Sequence, residues 1–405
     1  MRIGVDLYAF NPASTDGVST FALGLIEGLL AHPPTGEEVV LLVSKLNNEF
    51  FAELYDGRNV QLFCVPVASL ARYVNRILWI LSWITRQYRL RYWYERLFRK
   101  RLSREIDGKV DALIVPTTVF NFFALQVRTV LCVHDIQHEF HPENFTHNQL
   151  ILRWASYRLS CARADVIQVS SRYIQKCLLE KFEFLSRECF LIAPEGVDGE
   201  KFSAEAHSRD PKALPHSVRK KFLIYPAQIW KHKNHYLLVK ALAVFRNRMG
   251  FEIPCVLIGH DYGHWAMVRQ SIDRLKLQSV FYLGRVDFAE LIWLYKHCTA
   301  VLALGLHESS SLPVREGASF GKPLICADIP PNVEAAELLR LNLFPHDNPD
   351  ALADLFIALN ENDSRINGDA VQNKILVASL RWPVIARLYR ERLAACATRA
   401  HISDT

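Results

Sequence analysis

Residues 300–328 read AVLALGLHESSSLPVREGASFGKPLICAD, in which a small-residue loop and a helical stretch separate two apolar runs. The runs AVLALG (300–305) and PLICAD (323–328) are typical of buried β-strands. Pro313 stands near the start of the stretch between them, where its fixed backbone angle favours a helix. Strand, helix and strand in this order predict a parallel βαβ unit whose sheet is covered on both faces.

The same alternation continues along most of the chain. Further strand-like runs lie at 2–8, 39–44, 60–65, 111–116, 129–135, 165–171, 189–196, 221–227, 255–259 and 280–284. A polar stretch, KFSAEAHSRDPKALPHS (201–217), interrupts them and is interpreted as a connection between domains. The predicted fold class is α/β, with two facing Rossmann-like domains that each contain a doubly wound parallel sheet.

The chain length agrees with two domains, because 405 residues exceed the size at which one hydrophobic core usually stops growing. We expect an N-terminal domain over 1–205 and a C-terminal domain over 217–381. The segment 382–400 reads as an amphipathic helix, for which a return to the N-terminal domain is one expectation.

Cysteine usage and the N-terminal sequence bear on the compartment. The nine cysteines form no CxxC pair and lie in apolar contexts, which favours reduced core thiols over a zinc site or a disulfide framework. The first residues, MRIGVDLYAF, lack the features of a secretory signal, and no apolar run reaches the length of a transmembrane helix. We therefore expect a cytoplasmic protein.

Positive charge is concentrated in residues 71–104, here called the basic segment. It holds ten Lys or Arg, eight aromatic residues and one acid, Glu95. The rest of the chain has 38 basic and 41 acidic residues, so the net charge of +6 does not indicate a general nucleic-acid binder. Dense Arg, Trp and Tyr favour docking at an anionic membrane surface. The expected membrane-facing residues are Arg76, Trp79, Trp83, Arg96, Arg99, Lys100 and Arg101.

Two other interpretations of the basic segment stay open. Its aromatic residues can pack inward from two ordinary helices, or its surface can bind single-stranded nucleic acid.

Open α/β sheets bind ligands at the carboxyl ends of their strands, so a phosphate-binding motif would lie in the turns there. The turn DGVSTFALG (16–24) is not GxGxxG, and EGASFGKPL (316–324) lacks the spacing and the Ser or Thr of a P-loop. A nicotinamide enzyme and an NTPase are therefore disfavoured.

Two glutamates, eight residues apart, flank the start of the helix that follows 300–305. Glu308 precedes this helix and Glu316 is expected in its first turn, so both carboxylates can accept hydrogen bonds from vicinal hydroxyls of a sugar or ribose. The helix N-terminus beside Pro313 favours an anion such as a diphosphate. This combination indicates a sugar nucleotide.

The motif Glu308-x7-Glu316, followed by Gly321-Lys322-Pro323 and Glu334, resembles the donor signature of the family 4 retaining glycosyltransferases of the GT-B fold. The resemblance extends over nearly the whole chain. It implies that Glu308 contacts the transferred hexose and that Glu316 holds the nucleotide ribose. Among the members, the chain resembles bacterial mannosyltransferases of surface polysaccharide assembly, which favours mannose from GDP-mannose.

The resemblance also assigns Lys233 to the donor diphosphate, beside a commonly paired arginine position that is Gln228 in this chain. Lys231 is one candidate to supply the missing charge. The backbone of Arg285 and Val286 is expected near the base.

Two further donor contacts follow from the resemblance. Gly17, in the Asp16-Gly17-Val18 turn, is expected to approach the diphosphate from the opposite wall. The loop before Leu-Pro usually contains glycine, whereas this chain has Ser309, Ser310 and Ser311. The expected contacts from this loop are Ser310, Ser311 and Leu312.

The catalytic residues implied by the resemblance are His134, Asp135 and Glu308, the first two at the carboxyl end of strand 129–135. Nearby His138, Glu139 and His141 imitate a metal cluster, but their spacing is not that of HExxH. The family needs no metal, so no cofactor is expected.

The expected function is retaining transfer of a hexose to a lipid-linked or membrane-associated glycan in polysaccharide biosynthesis, at the inner face of the plasma membrane. Nucleic acid is not an expected partner. The alternatives are a GT-B sugar-nucleotide epimerase and an inactive membrane-binding scaffold, and Gln228 with the three serines favours the scaffold.

Overall fold

A computed structural model describes residues 1–13, 17–66, 70–98, 100–203, 207–219, 221–367 and 370–395. The chain divides into two compact units. Unit 1 is Met1–Gly196 together with the C-terminal segment that starts at Trp382, and unit 2 is Val197–Arg381. The division precedes the expected end at 205, because Val197 already pairs with Arg381 inside unit 2.

Unit 1 contains a parallel sheet of seven strands in the order β3-β2-β1-β4-β5-β6-β7. Each strand overlaps one of the runs expected from the sequence, and all of them except β2 are shorter than that run. The strands are β1 (Arg2–Asp6), β2 (Glu38–Val43), β3 (Val60–Cys64), β4 (Ala112–Val115), β5 (Arg128–Val133), β6 (Val166–Val169) and β7 (Phe190–Ile192).

Helices connect these strands and cover the sheet. They are α1 (Gly17–Ala31), α2 (Asn48–Leu54), α3 (Leu70–Thr85), α4 (Leu90–Phe98), α5 (Lys100–Asp107), α6 (Gln137–Phe140), α7 (His147–Arg163) and α8 (Arg172–Lys181), with short 3-10 turns at Pro142–Asn144 and Arg187–Cys189.

The two faces of the sheet bury separate cores, as the continuous apolar strands predicted. In β2, Val39 and Leu41 pack into one hydrophobic cluster, while Val40 and Leu42 pack into the other. Successive side chains of a strand point to opposite faces, so both faces of this sheet are covered.

The last helix of the chain, at Trp382–Ala395, lies in unit 1. Its Trp382 is buried and occupies a space left by the absent side chains of Gly24 and Gly28, one turn apart on α1. A Cβ at either glycine would collide with Trp382, so these glycines permit the close approach of the two helices.

Unit 2 contains a parallel sheet of six strands in the order β10-β9-β8-β11-β12-β13. The strands are β8 (Leu223–Pro226), β9 (Cys255–Ile258), β10 (Val280–Tyr282), β11 (Ala300–Ala303), β12 (Leu324–Ala327) and β13 (Asn342–Phe344). The sequence predicted the first five of these. It missed β13, because Arg340 and Asn342 interrupt the apolar residues there and leave no continuous run.

The helices of unit 2 are α9 (His235–Met249), α10 (Trp265–Arg274), α11 (Phe288–His297), α12 (Leu312–Ser319), α13 (Pro330–Ala335), α14 (Pro349–Asn360), α15 (Ser364–Asn367) and α16 (Ala370–Leu376), and the helix of unit 1 at Trp382–Ala395 is α17. Short 3-10 turns lie at His216–Val218, Lys231–Lys233 and Val377–Leu380. The strand order reverses between β8 and β11, which makes their carboxyl ends the expected ligand position.

Candidate functional site

Two turns meet at the switch point of unit 2, one after β8 and one after β11. The backbone N–H of Leu306 in the second turn donates to the carbonyl of His232 in the first, at 2.7 Å. This bond ties the two turns together, so side chains from both face one site.

Lys233 and Glu308 form an ion pair across these turns, with Lys233 Nζ 2.6 Å from Glu308 Oε1. The two side chains are 21% and 14% exposed, so solvent still reaches them. A Cβ at Gly305 would collide with the Glu308 carboxylate, so glycine is required for the glutamate to fold back over the loop. The structure thus joins two residues that the sequence assigned to the donor separately.

A residue of β8 fixes the backbone of Lys233. The buried Tyr225 hydroxyl donates to the Lys233 carbonyl oxygen, and Asn234 then adopts a left-handed conformation, φ 57°, before α9 begins. Asn tolerates this conformation better than most residues, and its side chain donates to the His346 carbonyl at 3.0 Å. The turn that carries the lysine is therefore fixed by both backbone and side-chain bonds.

Glu316 is buried in α12, where it is the fifth residue and lies past the first turn expected from the sequence. Its Oε2 accepts a hydrogen bond from the Tyr295 hydroxyl of α11 at 2.5 Å. Burial raises the pKa of Glu316 to about 7, although the bond from Tyr295 and the nearby charge of Arg315 favour the ionised form. The carboxyl group therefore titrates near neutral pH.

The serine loop leads directly into α12. Ser311 is the residue before the helix, and among the described residues Ser310 Oγ is buried without a hydrogen-bond partner. Leu312 begins the helix and Pro313 follows, as the sequence predicted. The positive end of this helix dipole therefore follows directly after a loop with a buried hydroxyl that lacks a hydrogen-bond partner.

The other expected donor residues of unit 2 lie in the turn after β8, with Lys233, or just after β10. Gln228 Oε1 accepts from Trp230 Nε1 at 2.9 Å, so the side chain is engaged within its own turn. Arg285 is exposed just after β10, two strands away from β8, and Val286 packs against the core. Lys231 is exposed at the start of the 3-10 turn that ends at Lys233.

In unit 1, His134 follows β5 and is half-buried. Its Nε2 lies 2.8 Å from the Pro116 carbonyl oxygen, and the edge of its ring contacts Phe21, with centroids 4.8 Å apart. Because a carbonyl oxygen only accepts, Nε2 carries the hydrogen, which leaves Nδ1 of the neutral ring as an acceptor.

The neighbouring candidates of unit 1 are more exposed. Asp135 Oδ1 accepts from the Gln137 backbone N–H at 3.2 Å and lies 3.9 Å from an Arg153 nitrogen. Gly17 begins α1, and a Cβ built there would meet no atom within 4 Å, so the protein itself does not require glycine at this position. Asp16 lies outside the described residues.

The histidine cluster near β5 is a structural ion-pair site. Burial opposes ionisation of Glu139, but the nearby His138 ring, at 3.4 Å, and the ion pair with Arg158 outweigh it and lower the pKa of Glu139 to about 2. Within the part of the chain that the structure describes, no group of three His, Cys, Asp or Glu side chains is arranged to hold a metal ion.

The basic segment forms α3, α4 and the first part of α5. The two tryptophans that were expected to face the membrane, Trp79 and Trp83, pack on aromatic residues of unit 1. Trp79 packs on Phe123 with ring centroids 5.8 Å apart, and Trp83 packs on Trp154 of α7 at 5.6 Å. Whether a tryptophan is buried depends on which face of its helix packs against another element. The amino-acid composition of the segment does not show this.

The expected basic residues of this segment have different positions. Arg76 and Arg101 are exposed, and Arg96 is half-buried over the Trp93 ring. Arg99 and the side chain of Lys100 lie outside the described residues. Over the described ranges, no helix is long and apolar enough to cross a bilayer.

Sequence reasoning missed the two buried tyrosines, Tyr225 and Tyr295, that support the site. The only signal for them is general, since a buried tyrosine hydroxyl usually finds a hydrogen-bond partner. Which partner it finds depends on packing between elements that are distant in sequence.

The two-unit architecture is shared with several solved structures. It is similar to Anabaena HepE in complex with UDP and glucose, at 17% identity and a TM-score of 0.68, over 98% of this chain and 100% of that one. Sucrose-phosphate synthase from Thermosynechococcus elongatus gives 16% identity and a TM-score of 0.65, over 97% and 99%. Trehalose-6-phosphate synthase OtsA gives 13% and 0.70, over 98% and 100%. The fold is therefore GT-B.

One protein family is similar in sequence to part of the chain. Residues 207–373, most of unit 2, match the model of the family described as glycosyl transferases group 1. Unit 2 is therefore similar in sequence to this family, and the chain has the GT-B fold. No curated protein matches the chain in sequence.

Proposed function

We propose that this protein is a retaining glycosyltransferase that moves a hexose from a nucleotide sugar to a lipid-linked or membrane-associated glycan. The observation that carries the proposal is the Lys233–Glu308 ion pair at the switch point of unit 2, beside the N-terminus of α12. A cation, a helix N-terminus and a carboxylate within one site match the diphosphate and the hydroxyls of a sugar nucleotide.

In this proposal Lys233 changes partner when the donor binds. Its ammonium group moves from Glu308 to the diphosphate, and Glu308 is released to accept hydrogen bonds from the hexose. Glu316 accepts from the ribose hydroxyls. As the bond from the anomeric carbon to the phosphate oxygen breaks, Lys233 and the dipole of α12 stabilise the charge on the leaving diphosphate.

For a retaining transfer, the acceptor oxygen attacks the same face of the sugar that the diphosphate leaves. A bond forms from the anomeric carbon to the acceptor oxygen, and the acceptor proton passes to the departing diphosphate. His134 and Asp135 are proposed as the catalytic residues of unit 1. No metal ion is required, because Lys233 and the helix dipole supply the positive charge.

Two donors are candidates. The resemblance of the donor motif favours mannose from GDP-mannose. UDP-glucose is the second candidate, because Anabaena HepE is solved in complex with UDP-glucose. The acceptor is proposed to lie at an anionic membrane, since the basic segment of unit 1 carries ten Lys or Arg and one acid.

The test is incubation with GDP-mannose or UDP-glucose, with and without a glycolipid extract, followed by measurement of nucleoside diphosphate release and of the anomeric configuration of the product. Release that rises with glycolipid and a product with the donor's configuration are expected. Conversion between sugar isomers would instead indicate an epimerase. No release with any donor would indicate an inactive scaffold.

A further inference from the structure

The helix α3 presents an apolar face to solvent. Four residues with the spacing of one helical face are exposed, and we call them the α3 stripe: Ile77, Ile80, Leu81 and Ile84. Ile77 and Ile84 are 57% and 68% exposed. Three large apolar residues of α4, Trp93, Leu97 and Phe98, are exposed as well. Single exposed aliphatic residues are common, but a continuous row of them on one helix marks an interaction surface.

The opposite side of α3 already has its partners. Trp79 packs on Phe123, Ser82 is fully buried, and Trp83 packs on Trp154 of α7. The helix is therefore anchored to unit 1 through its tryptophans, which leaves the stripe on the face turned away from the core.

The exposed charge of the segment that carries the stripe has one sign. Glu95 is the only acid in residues 71–104, and it is buried with Arg91, whose guanidinium donates to it at 2.5 Å. Glu95 also accepts from the Phe123 backbone N–H, so its charge is used inside the fold. Two charged residues are exposed in the described part of α3 and in the turn directly after it. Both of them, Arg76 and Arg86, are positive.

We infer that the α3 stripe is the face that enters an anionic phospholipid bilayer at the level of the headgroups. Apolar side chains beside arginine side chains are the combination that binds at this interface, where the chain lies on the membrane without crossing it. This inference rests on the proposed function and deepens it, because it states which residues bring the enzyme to a membrane-bound acceptor. In this inference the α3 stripe inserts into the bilayer, whereas Trp79 and Trp83 anchor α3 to unit 1.

The test uses the full chain and vesicles of phosphatidylcholine and phosphatidylglycerol in equal parts, with pure phosphatidylcholine for comparison. Binding is measured by co-sedimentation at low and high salt. The variant Ile80→Gln/Ile84→Gln keeps good helix formers on the surface. Its control, Val371→Gln/Ile375→Gln, changes two exposed aliphatic residues of α16 in unit 2. The variant Ile80→Trp tests a gain of binding.

We expect the partition coefficient of Ile80→Gln/Ile84→Gln to fall at least about tenfold, at low and high salt alike, because apolar insertion is insensitive to salt. The control should bind as the wild type does, and Ile80→Trp should bind more tightly. Reversal of charge in Arg76→Glu should weaken binding mainly at low salt. Trp79→Ala should lower the melting temperature, because it removes packing from the core.

Equal binding by the wild type and Ile80→Gln/Ile84→Gln would overturn the inference, and so would an equal loss in the α16 control. A wild-type dimer in vesicle-free buffer that this variant dissociates would also overturn it, since a second copy would then cover the stripe. Nucleotide binding is measured in parallel. Vesicle binding without nucleotide binding by the wild type would reject the donor site and retain the docking surface.

Discussion

Lys233 Nζ lies 2.6 Å from Glu308 Oε1, which brings together the turns that follow β8 and β11 at the reversal of strand order in unit 2. Both side chains are less than a quarter exposed, and neither is sealed from solvent. A ligand can therefore reach this pair and replace one of its partners.

Glu308→Gln should separate turnover from nucleotide binding. If Glu308 contacts the hexose, its loss should lower kcat on the order of 100-fold, because the lost interaction acts mainly in the transition state. Affinity for UDP or GDP should stay equal or become tighter, because a carboxylate no longer competes for Lys233. Glu361→Gln, at an exposed position of unit 2, is the control. A loss of nucleotide affinity in Glu308→Gln would contradict the exchange.

Donor binding should depend on pH through Glu316. Its pKa is about 7, so the carboxyl is largely protonated at pH 5.5 to 6, roughly one unit or more below that value. An ionised carboxylate accepts two ribose hydroxyls better than a protonated one, so donor affinity should rise with pH and level off above about pH 8. Tyr295→Phe removes a bond that favours ionisation and should move the midpoint upward by about one unit. Calorimetric titration across pH measures both midpoints.

Glu316 also makes the stability of the fold depend on pH. This dependence has the opposite sign to that of donor binding, because stability falls as pH rises. Because the pKa of Glu316 is higher in the folded protein than in the unfolded chain, the folded state binds more protons in this range. Its contribution is present below the unfolded pKa, about 4.3, and is lost as pH rises through about 7. The ligand-free Glu316→Gln variant should lose this pH dependence of its melting temperature. An unchanged pH profile would show that another group is responsible.

His134→Ala should lower turnover strongly, by about 100-fold or more, and leave donor affinity nearly unchanged. Nε2 is engaged by the Pro116 carbonyl, so Nδ1 is the atom expected to act. His134→Asn keeps a polar group but changes its position, and it should not restore activity. Steady-state kinetics with wild-type turnover in His134→Ala would remove this residue from the site.

Activity should survive an excess of chelator, since the positive charge at the diphosphate is assigned to Lys233 and the α12 dipole. The measurement is nucleoside diphosphate release in EDTA, with and without added magnesium or manganese. Complete loss that either ion restores would contradict the assignment.

Much of this architecture follows from local sequence. Parallel strands that are buried on both faces are apolar along their whole length, so apolar runs such as 300–305 predict strands. Pro313 marks the start of α12. The spacing of Glu308 and Glu316 is likewise local, and their role in donor binding stays a prediction. These features depend only on residues close together in the chain.

Other features depend on packing between distant segments. The bond from Tyr295 to Glu316 joins α11 to α12, and only the folded packing places the hydroxyl there. The inward position of Trp79 and Trp83 depends on the contact of α3 with α7 and the core, which composition cannot supply. Glu316 was expected in the first turn of α12, but it is the fifth residue of the helix and lies just past that turn.

The central claim is that the switch point of unit 2 binds a nucleoside diphosphate through Lys233, and calorimetric titration of UDP and GDP into the wild type and Lys233→Ala tests it most directly. At least one nucleotide should bind the wild type, and its affinity should fall about 10- to 100-fold in Lys233→Ala, as expected for the loss of a charge-assisted bond. Lys240→Ala, an exposed position of α9, should bind as the wild type does. Binding of neither nucleotide, or equal affinity in Lys233→Ala, would contradict the claim.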